Sequence, residues 1–440
     1  MNPFLRLRAW IEETLRREAV KNLGFIYASR MISAFLRLAA SVVVARKLGA
    51  ERLGLLTIAA VIMGIVARLL ELGMTTTLVR KVSHHLGAGD RDGAASIFRR
   101  IIVFQLELSA AALVLGWFAA PLLAIRVYGN AALVTPVRLA FAGAVAYNIW
   151  YHAEGVLRAH ERFKAIAYIN IASQSVRTGL ILLLALVIAG LDVERTMMIN
   201  IAQILVAFVI TAVLIPGRYF RSGGGERYPL GRVFAYSGWM YLFSLIFMLF
   251  DRLDVLMLGF FRAGSEVGVY AVAFRLIIPF EMIPETFNTV FLPRVSRFTR
   301  KFEIMRYFRD TLKVTALVGV LGLIMLFAAR PLIMTFYGAE YEPSIRLFQI
   351  LVGAFILLTM LNPFTLAGHS INKPQIFVLM AAINLVLNFA GNLVFIPRYG
   401  ATGAAVVTLL SRVAGGLIGL LILKRFLDRW QEGASGEETG

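Results

Sequence analysis

Apolar runs of roughly twenty residues recur from one end of this 440-residue chain to the other, and they exclude most ways a polypeptide can fold. A bilayer offers no water to the peptide groups, so a chain built this way must satisfy its backbone internally. Helices do that within a single segment. Hydrophobic residues make up 59% of the sequence and its mean hydropathy is +0.75, which leaves no stretch for a water-soluble domain of any size. The hydropathy pattern predicts an all-α integral membrane protein with spans at about 23–45, 54–79, 101–125, 134–156, 165–189, 197–216, 233–259, 268–292, 312–329, 344–366, 375–396 and 401–423. Met1 to Lys21 carries charges throughout, so no cleavable signal peptide is expected. Zero cysteines exclude disulfides and thiolate metal sites.

In a soluble protein the formal net charge of +19 would suggest a nucleic-acid partner. The distribution of the charge argues otherwise. Twelve spans place both termini on one side, and the loops on that side hold 28 Lys and Arg against 10 in the opposite loops and the span ends that flank them (Arg138 and Arg346 included). Positive charge accumulates in cytoplasmic loops, so both termini are expected in the cytoplasm, with the chain in the cytoplasmic membrane and no nucleic acid bound.

The two halves of the sequence are related. Pro121-Leu122-Leu123 and Tyr128-Gly129 recur as Pro331-Leu332-Ile333 and Tyr337-Gly338, and Leu157-x-x-His160-x-x-x-Lys164 recurs as Leu366-x-x-His369-x-x-x-Lys373. Gly49-x-Glu51-x-x-Gly54 matches Gly264-x-Glu266-x-Gly268 with one residue deleted, and Lys81-Val82-Ser83 matches Arg294-Val295-Ser296. Six spans per repeat is an even number, which predicts two six-helix lobes of like orientation about a pseudo-two-fold axis along the membrane normal, with a site between them. The expected layout is a cytoplasmic amphipathic segment (1–22), an N-lobe (23–217), a linker (218–232) containing Ser222-Gly223-Gly224-Gly225, a C-lobe (233–425) and a cytoplasmic tail (426–440).

Charges lie inside these spans: Arg30, Arg37, Arg68, Arg177, Arg252, Arg275 and Arg412, with Glu71, Glu107, Glu154, Asp251, Asp254, Glu281 and Glu285. Ionisable groups at membrane depth are expensive and mark a polar interior. In the first span Arg30, Ser33, Arg37 and Ser41 recur at spacings of 3, 4 and 4, which is one helix face. In the seventh, Ser237, Tyr241, Ser244, Met248 and Asp251 recur at 4, 3, 4 and 3, with Arg252 on the flank and at an offset of 215 from Arg37. Arg68 and Glu71 are spaced to pair along a helix, and Arg275, Glu281 and Glu285 decorate the eighth span. The acids are read as counter-charges or coupling groups. Arg30, Arg37 and Arg252 exceed the local acid supply, and forked guanidinium donors suit a phosphate or diphosphate headgroup.

Weaker patterns accompany these. His84-His85 with Asp90 and Asp92 falls in a cytoplasmic, surface-lying helix, where a solvated face outweighs a metal site. Asn170, Gln174 and Arg177, and Asn384, Asn388 and Asn392, form polar stripes suited to hydrogen bonds between helices.

Motifs in order then resemble a known family. They are Val42-Val43-Val44-Ala45-Arg46-Lys47-Leu48-Gly49-x-x-x-x-Gly54, Asp251-Arg252-x-Asp254-x-x-x-Leu258-Gly259, Gly264-x-x-x-Gly268-x-Tyr270, Tyr337-Gly338-x-Glu340-Tyr341, and Asn388-x-x-x-Asn392-x-x-x-Ile396-Pro397-x-Tyr399-Gly400-Ala401-x-Gly403-Ala404. The chain resembles the polysaccharide-transporter (Wzx-type) family of the multidrug/oligosaccharidyl-lipid/polysaccharide exporter superfamily. That resemblance implies a MATE-like fold and, with no enzymatic step, a flippase for polyprenyl-diphosphate-linked oligosaccharide working by alternating access. Arg30, Arg37, Arg252, Arg68 and Arg275 would line the diphosphate and sugar cavity with Ser33, Tyr241 and Ser244, while Asp251, Asp254, Glu71, Glu281 and Glu285 couple or balance charge. A monomer without a bound cofactor is expected, with sodium or protons as candidate coupling ions. The alternatives are a cation-coupled drug antiporter of the same fold, which calls for a carboxylate-dominated site, and a membrane enzyme of polysaccharide assembly, which calls for a long catalytic loop.

Overall fold

The computed structural model describes residues 3–188, 190–220, 230–278, 301–367 and 374–428. Among them the chain is helical, with no strand. In order the helices are α1 (Pro3–Glu71), α2 (Met74–Gly87), α3 (Arg91–Pro121), α4 (Val134–Ala159), α5 (Phe163–Leu182), α6 (Val193–Leu214), α7 (Leu230–Phe261), α8 (264–278), α9 (Lys301–Phe336), α10 (Ser344–Ala367) and α11 (Pro374–Asp428). Seven helices among the described residues are long and apolar enough to cross a membrane, and the chain is a multi-pass membrane protein.

The two longest candidate spans, Ala28–Glu71 and Val378–Ile418, hold 44 and 41 residues. At about 1.5 Å per residue either would be roughly twice the ~30 Å hydrocarbon thickness if it ran straight. Each is interrupted at a glycine with left-handed backbone: Gly49 (φ 74°) in α1 and Gly400 (φ 56°) in α11. Across Gly400 the two arms of α11 fold back on each other. Asn388 Nδ2 donates to Ser411 Oγ at 3.3 Å, Gly391 faces Val407, and Asn384 faces Gly415. Those pairs run antiparallel, so α11 is a helical hairpin turned at Gly400.

Caps set the other boundaries. Asp90 accepts from Gly93 N at 2.8 Å to open α3, and Asp192 accepts from Arg195 N at 2.7 Å to open α6. π-helical turns at Leu122–Val127 and Leu183–Val187 end α3 and α5.

By contact the chain divides into two compact units. Unit 1 is Met1–Val44, Ile62–Leu122 and Val134–Gly238; unit 2 is Ala45–Val61, Leu123–Leu133 and Trp239–Gly440. Unit 1 holds α2–α6, with α3 and α4 antiparallel and α4 and α6 parallel, and one end of it closes on a core around Met74, Leu78, Phe98, Ile101, Leu157 and Tyr219. Large apolar side chains such as Val213 (79%) in unit 1 and Phe327 (86%) in unit 2 stand exposed, as lipid-facing surfaces require.

Unit 2 includes the break of α1. A Cβ on Gly54 would overlap the Gly264 carbonyl, and one on Gly268 would overlap the Ala50 carbonyl. The contacts are reciprocal, since Gly54 and Gly268, like Ala50 and Gly264, are 214 positions apart. This is the pattern a local two-fold makes. Further hydrogen bonds hold the segment. Glu340 Oε1 accepts from Ala50 N at 2.7 Å, Arg46 Nε donates to Phe336 O at 2.7 Å and Arg46 also donates to Thr335 O, and Tyr341 OH donates to Ala45 O at 2.9 Å. The turn at Gly400 is held by the same chemistry. Glu266 Oε2 accepts from Ala401 N at 2.8 Å, while Arg262 donates to Ile396 O at 3.2 Å and Pro397 O at 2.7 Å. At both breaks a carboxylate takes up the first exposed N–H after the glycine, and a guanidinium takes up carbonyls at a helix end.

Candidate functional site

The predicted site residues fall into both units. Arg30, Ser33, Arg37, Arg68 and Glu71 belong to unit 1; Tyr241, Ser244, Asp251, Arg252, Asp254 and Arg275 belong to unit 2. Glu281 and Glu285 lie outside the described residues.

In unit 1, Ser33 is buried and Arg37 is exposed on α1, and among the described residues no hydrogen bond or ion pair holds the Arg37 guanidinium. Arg30 is also exposed. Glu71 is buried (5% exposed) at the C-terminal end of α1. Its carboxylate meets Arg68 Nη1 at 3.5 Å and accepts from Gly73 N at 3.1 Å and Thr75 N at 3.0 Å, capping α2. That geometry makes Glu71 a counter-charge and a cap together. A neutral polar core lies alongside: Asn148 Nδ2 donates to Gln105 Oε1 at 2.8 Å and to Ser109 Oγ at 3.2 Å. The fifth-span stripe pairs with α6, through Arg177 Nε to Asn200 Oδ1 at 2.7 Å and Gln203 Nε2 to Gln174 Oε1 at 3.4 Å.

In unit 2 the charged turn of α7 is enclosed by α8 and the second arm of α11. Asp254 is buried. Its Oδ2 accepts from Tyr270 OH and from Thr408 Oγ1 at 3.4 Å, and its Oδ1 accepts from Val255 N at 2.8 Å. Asp251 stands between two arginines, Arg252 Nε at 3.3 Å and Arg412 Nη2 at 3.5 Å. The Arg252 guanidinium carbon lies 5.2 Å from the centroid of the Phe274 ring. Asp251 thus fixes Arg252 while leaving part of its fork exposed, with 35% of the side chain accessible. Arg275 donates to Thr57 Oγ1 at 3.4 Å. The eleventh-span asparagines serve the hairpin, Asn392 Nδ2 donating to Asn388 Oδ1 at 2.9 Å.

Tyr270, Thr408 and Arg412 were not among the residues singled out by spacing. Tyr270 does end one of the family-like motifs; Thr408 and Arg412 reach Asp254 and Asp251 only because the hairpin at Gly400 folds them back. At the ends of the spans, His85 Nδ1 meets Asp90 Oδ2 at 2.7 Å, and Asp90 is held below the usual carboxylate range by the Gly93 N–H and then by His85. His160 Nε2 meets Tyr219 OH at 2.9 Å; burial, then Arg162 and Arg218, push the imidazole below its ordinary range. Among the described residues no three His, Asp or Glu side chains gather into a metal site.

This arrangement has known counterparts. The sequence matches the family described as "Polysaccharide biosynthesis protein" over residues 43–346. It is 24% identical over 402 residues to a Haloferax volcanii protein named "Probable low-salt glycan biosynthesis flippase Agl15", an alignment covering 90% of this chain and 81% of that one. In fold it resembles "Lipid II flippase MurJ, inward closed conformation" (TM-score 0.75, 17% identity, covering 91% of this chain and 87% of that one). It resembles equally an inward-facing multidrug resistance MATE family transporter (TM-score 0.75, 15% identity, 93% and 100% covered). With the family match spanning more than half its length, the chain belongs to the polysaccharide biosynthesis protein family, as a Wzx-type member of the multidrug/oligosaccharidyl-lipid/polysaccharide exporter superfamily.

Proposed function

We propose that the protein is a flippase that moves polyprenyl-diphosphate-linked oligosaccharide from the cytoplasmic to the outer leaflet by alternating access. The observation that carries this reading is the near full-length relationship to a protein named as a glycan biosynthesis flippase. In this reading twelve spans form two six-helix lobes, 23–217 and 233–425, in a monomer of the cytoplasmic membrane with both termini inside. The breaks at Gly49 and Gly400 support the count by dividing two overlong helices.

Arg30, Arg37 and Arg252 bind the diphosphate, with Arg68, Arg275, Ser33, Tyr241 and Ser244 contributing to the polar lining. Two features support that assignment: the exposed Arg37 guanidinium, and Arg252 held on one side by Asp251 and Phe274. Desolvated guanidinium–phosphate pairs are among the stronger charge-assisted hydrogen bonds, so removing one should be felt directly in substrate affinity. Asp251 and Asp254 either couple the cycle to a cation or set the arginine geometry. Asp251→Asn separates these roles: a slower rate at unchanged binding supports coupling, and an unchanged rate argues against it.

Purified protein in vesicles containing a polyprenyl-diphosphate oligosaccharide provides the test. Arg37→Ala and Arg252→Ala, both inserted and folded, should each lower flipping about tenfold or more, as loss of one such hydrogen bond predicts. Unimpaired flipping in both variants would refute the assignment. Extrusion of a cationic dye driven by a cation gradient would favour the antiporter instead.

A further inference from the structure

Glu154 is an intramembrane acid to which the reading above gives no part. It lies on α4, which touches α2, α3, α5 and α6 within unit 1. From Pro136 to Ala159 no residue of α4 stands exposed. Tyr147, Tyr151, Glu154 and Arg158 recur along it at spacings of 4, 3 and 4, which is one helix face. Glu154 is buried, while Tyr147, Tyr151 and Arg158 are partly accessible. A helix with neighbours on four sides has little surface to give to lipid, and a carboxylate–guanidinium pair there would be costly. These side chains therefore open on a polar cleft of unit 1.

The four side chains are joined by direct contacts. The Tyr147 and Tyr151 rings are nearly parallel, at 14°, with centroids 5.7 Å apart. The Arg158 guanidinium carbon stands 4.6 Å from the Tyr151 ring centroid, and its Nη1 donates to Tyr151 OH at 3.1 Å. Arg158 Nε donates to Glu154 Oε1 at 3.0 Å, and Nη2 donates to the same oxygen. Trp150 packs edge to face with Tyr147 at 5.4 Å and is tied to α6 by Nε1 donating to Thr211 Oγ1 at 3.3 Å. Both bonds from Arg158 fall on one carboxylate oxygen. Among the described residues nothing hydrogen-bonds to Glu154 Oε2 or to Tyr147 OH. A buried carboxylate with one oxygen unmet is uncommon, and it is the acceptor that a ligand hydroxyl needs.

The composition of the stripe identifies the ligand class. Glu154 and Arg158 cancel each other's charge, so the stripe favours neither an organic cation nor a second phosphate. What it offers is an aromatic surface, an open carboxylate oxygen and a phenol hydroxyl. A pyranose ring matches that set. Its C–H face lies against aromatic rings, and its hydroxyls donate to a carboxylate and exchange hydrogen bonds with a phenol.

We propose that Tyr147, Tyr151 and Glu154 form a sugar-binding subsite of unit 1 that grips one pyranose unit of the cargo's glycan. The proposal rests on the flippase reading above and adds to it a site for the sugar distinct from the arginines assigned to the diphosphate. Glu154 Oε2 and Tyr147 OH take the sugar hydroxyls, and the tyrosine rings take the C–H face. Arg158 is a positioning residue that holds both Glu154 and Tyr151.

The test titrates full-length protein in nanodiscs with two lipids: polyprenyl-diphosphate oligosaccharide extracted from the source cells, and polyprenyl diphosphate without sugar. The wild type should bind the first at least about tenfold more tightly, as one hydrogen bond to a charged group predicts. In Glu154→Gln and in Tyr151→Leu that ratio should fall severalfold. A merely structural role would weaken binding of both lipids alike and leave the ratio unchanged. Should Glu154→Gln misfold with Arg158 left unpaired, Tyr147→Leu decides, since that ring packs on Tyr151 and Trp150, and its ratio should fall likewise. A wild-type ratio near one, or variant ratios equal to that of the wild type, would overturn the subsite and leave the flippase reading standing. A wild type that binds neither lipid would overturn both.

Discussion

Replacing Gly54 with alanine tests how tightly the segment after the α1 break is seated in unit 2. The added Cβ would stand 2.7 Å from the Gly264 carbonyl carbon and 3.1 Å from its Cα, and would overlap the oxygen. Carbon atoms prefer about 3.5–4.0 Å, so the backbones must part by roughly 1 Å. A gap of that size forfeits about a quarter to a half of each dispersion contact across the seam. Leu55 approaches Gly264 and Ile58 approaches Gly259 along it, and Gly268 makes the reciprocal approach to Ala50. With partial relaxation the cost should be about 2–3 kcal/mol, the range of a core forced to accept an extra methyl. Gly179→Ala is the control. That glycine is helical with nothing within 4 Å of the new Cβ, so alanine should be neutral or stabilise by up to about 1 kcal/mol. Unfolding of both variants in the same detergent, by denaturant titration, gives the comparison. A Gly54→Ala protein as stable as the wild type would refute the close backbone approach.

Other perturbations have defined outcomes. Glu340→Ala removes the acceptor of a buried Ala50 N–H and should destabilise by about 1–2 kcal/mol, with Glu340→Gln losing less because an amide oxygen can still accept; denaturant midpoints will distinguish them. Asn388→Leu breaks the hydrogen bond across the α11 hairpin, for a loss of about 0.6–1.7 kcal/mol read in the same assay. Burial, then Arg162 and Arg218, lower the His160 pKa in the folded protein, so the unfolded chain binds its proton first as the pH falls. Stability from this group is complete above its ordinary value of about 6.5 and is lost below it, and His160→Gln should flatten that part of the stability–pH curve.

Hydropathy alone marks the helical membrane segments, because a run of twenty apolar residues has few other fates. The glycine motifs were legible too: Gly49, Gly54, Gly264 and Gly268 stood out by repetition, and the structure places them at a break and a reciprocal backbone contact. Local spacing predicted Arg68 against Glu71, an i, i+3 pair. Contacts that cross hundreds of residues were not legible. Nothing in the neighbourhood of Ala50 announces Glu340 as its partner, and Ala45–Val61 and Leu123–Leu133 fall in unit 2 while the rest of the first half falls in unit 1. Periodicity names a helix face but not what the face meets, so Asp251 was visible as a charge and Arg412 was not visible as its partner.

The central claim is transport of a lipid-linked glycan with its diphosphate held by arginine. It is tested most directly by the rate at which a polyprenyl-diphosphate oligosaccharide becomes accessible to an impermeant lectin in vesicles containing the purified protein, wild type against Arg252→Ala. Rapid appearance with the wild type and at least about a tenfold slower rate with the variant is the predicted result. Equal rates for the variant and the wild type, or a wild-type rate no higher than that of protein-free vesicles, would contradict the claim.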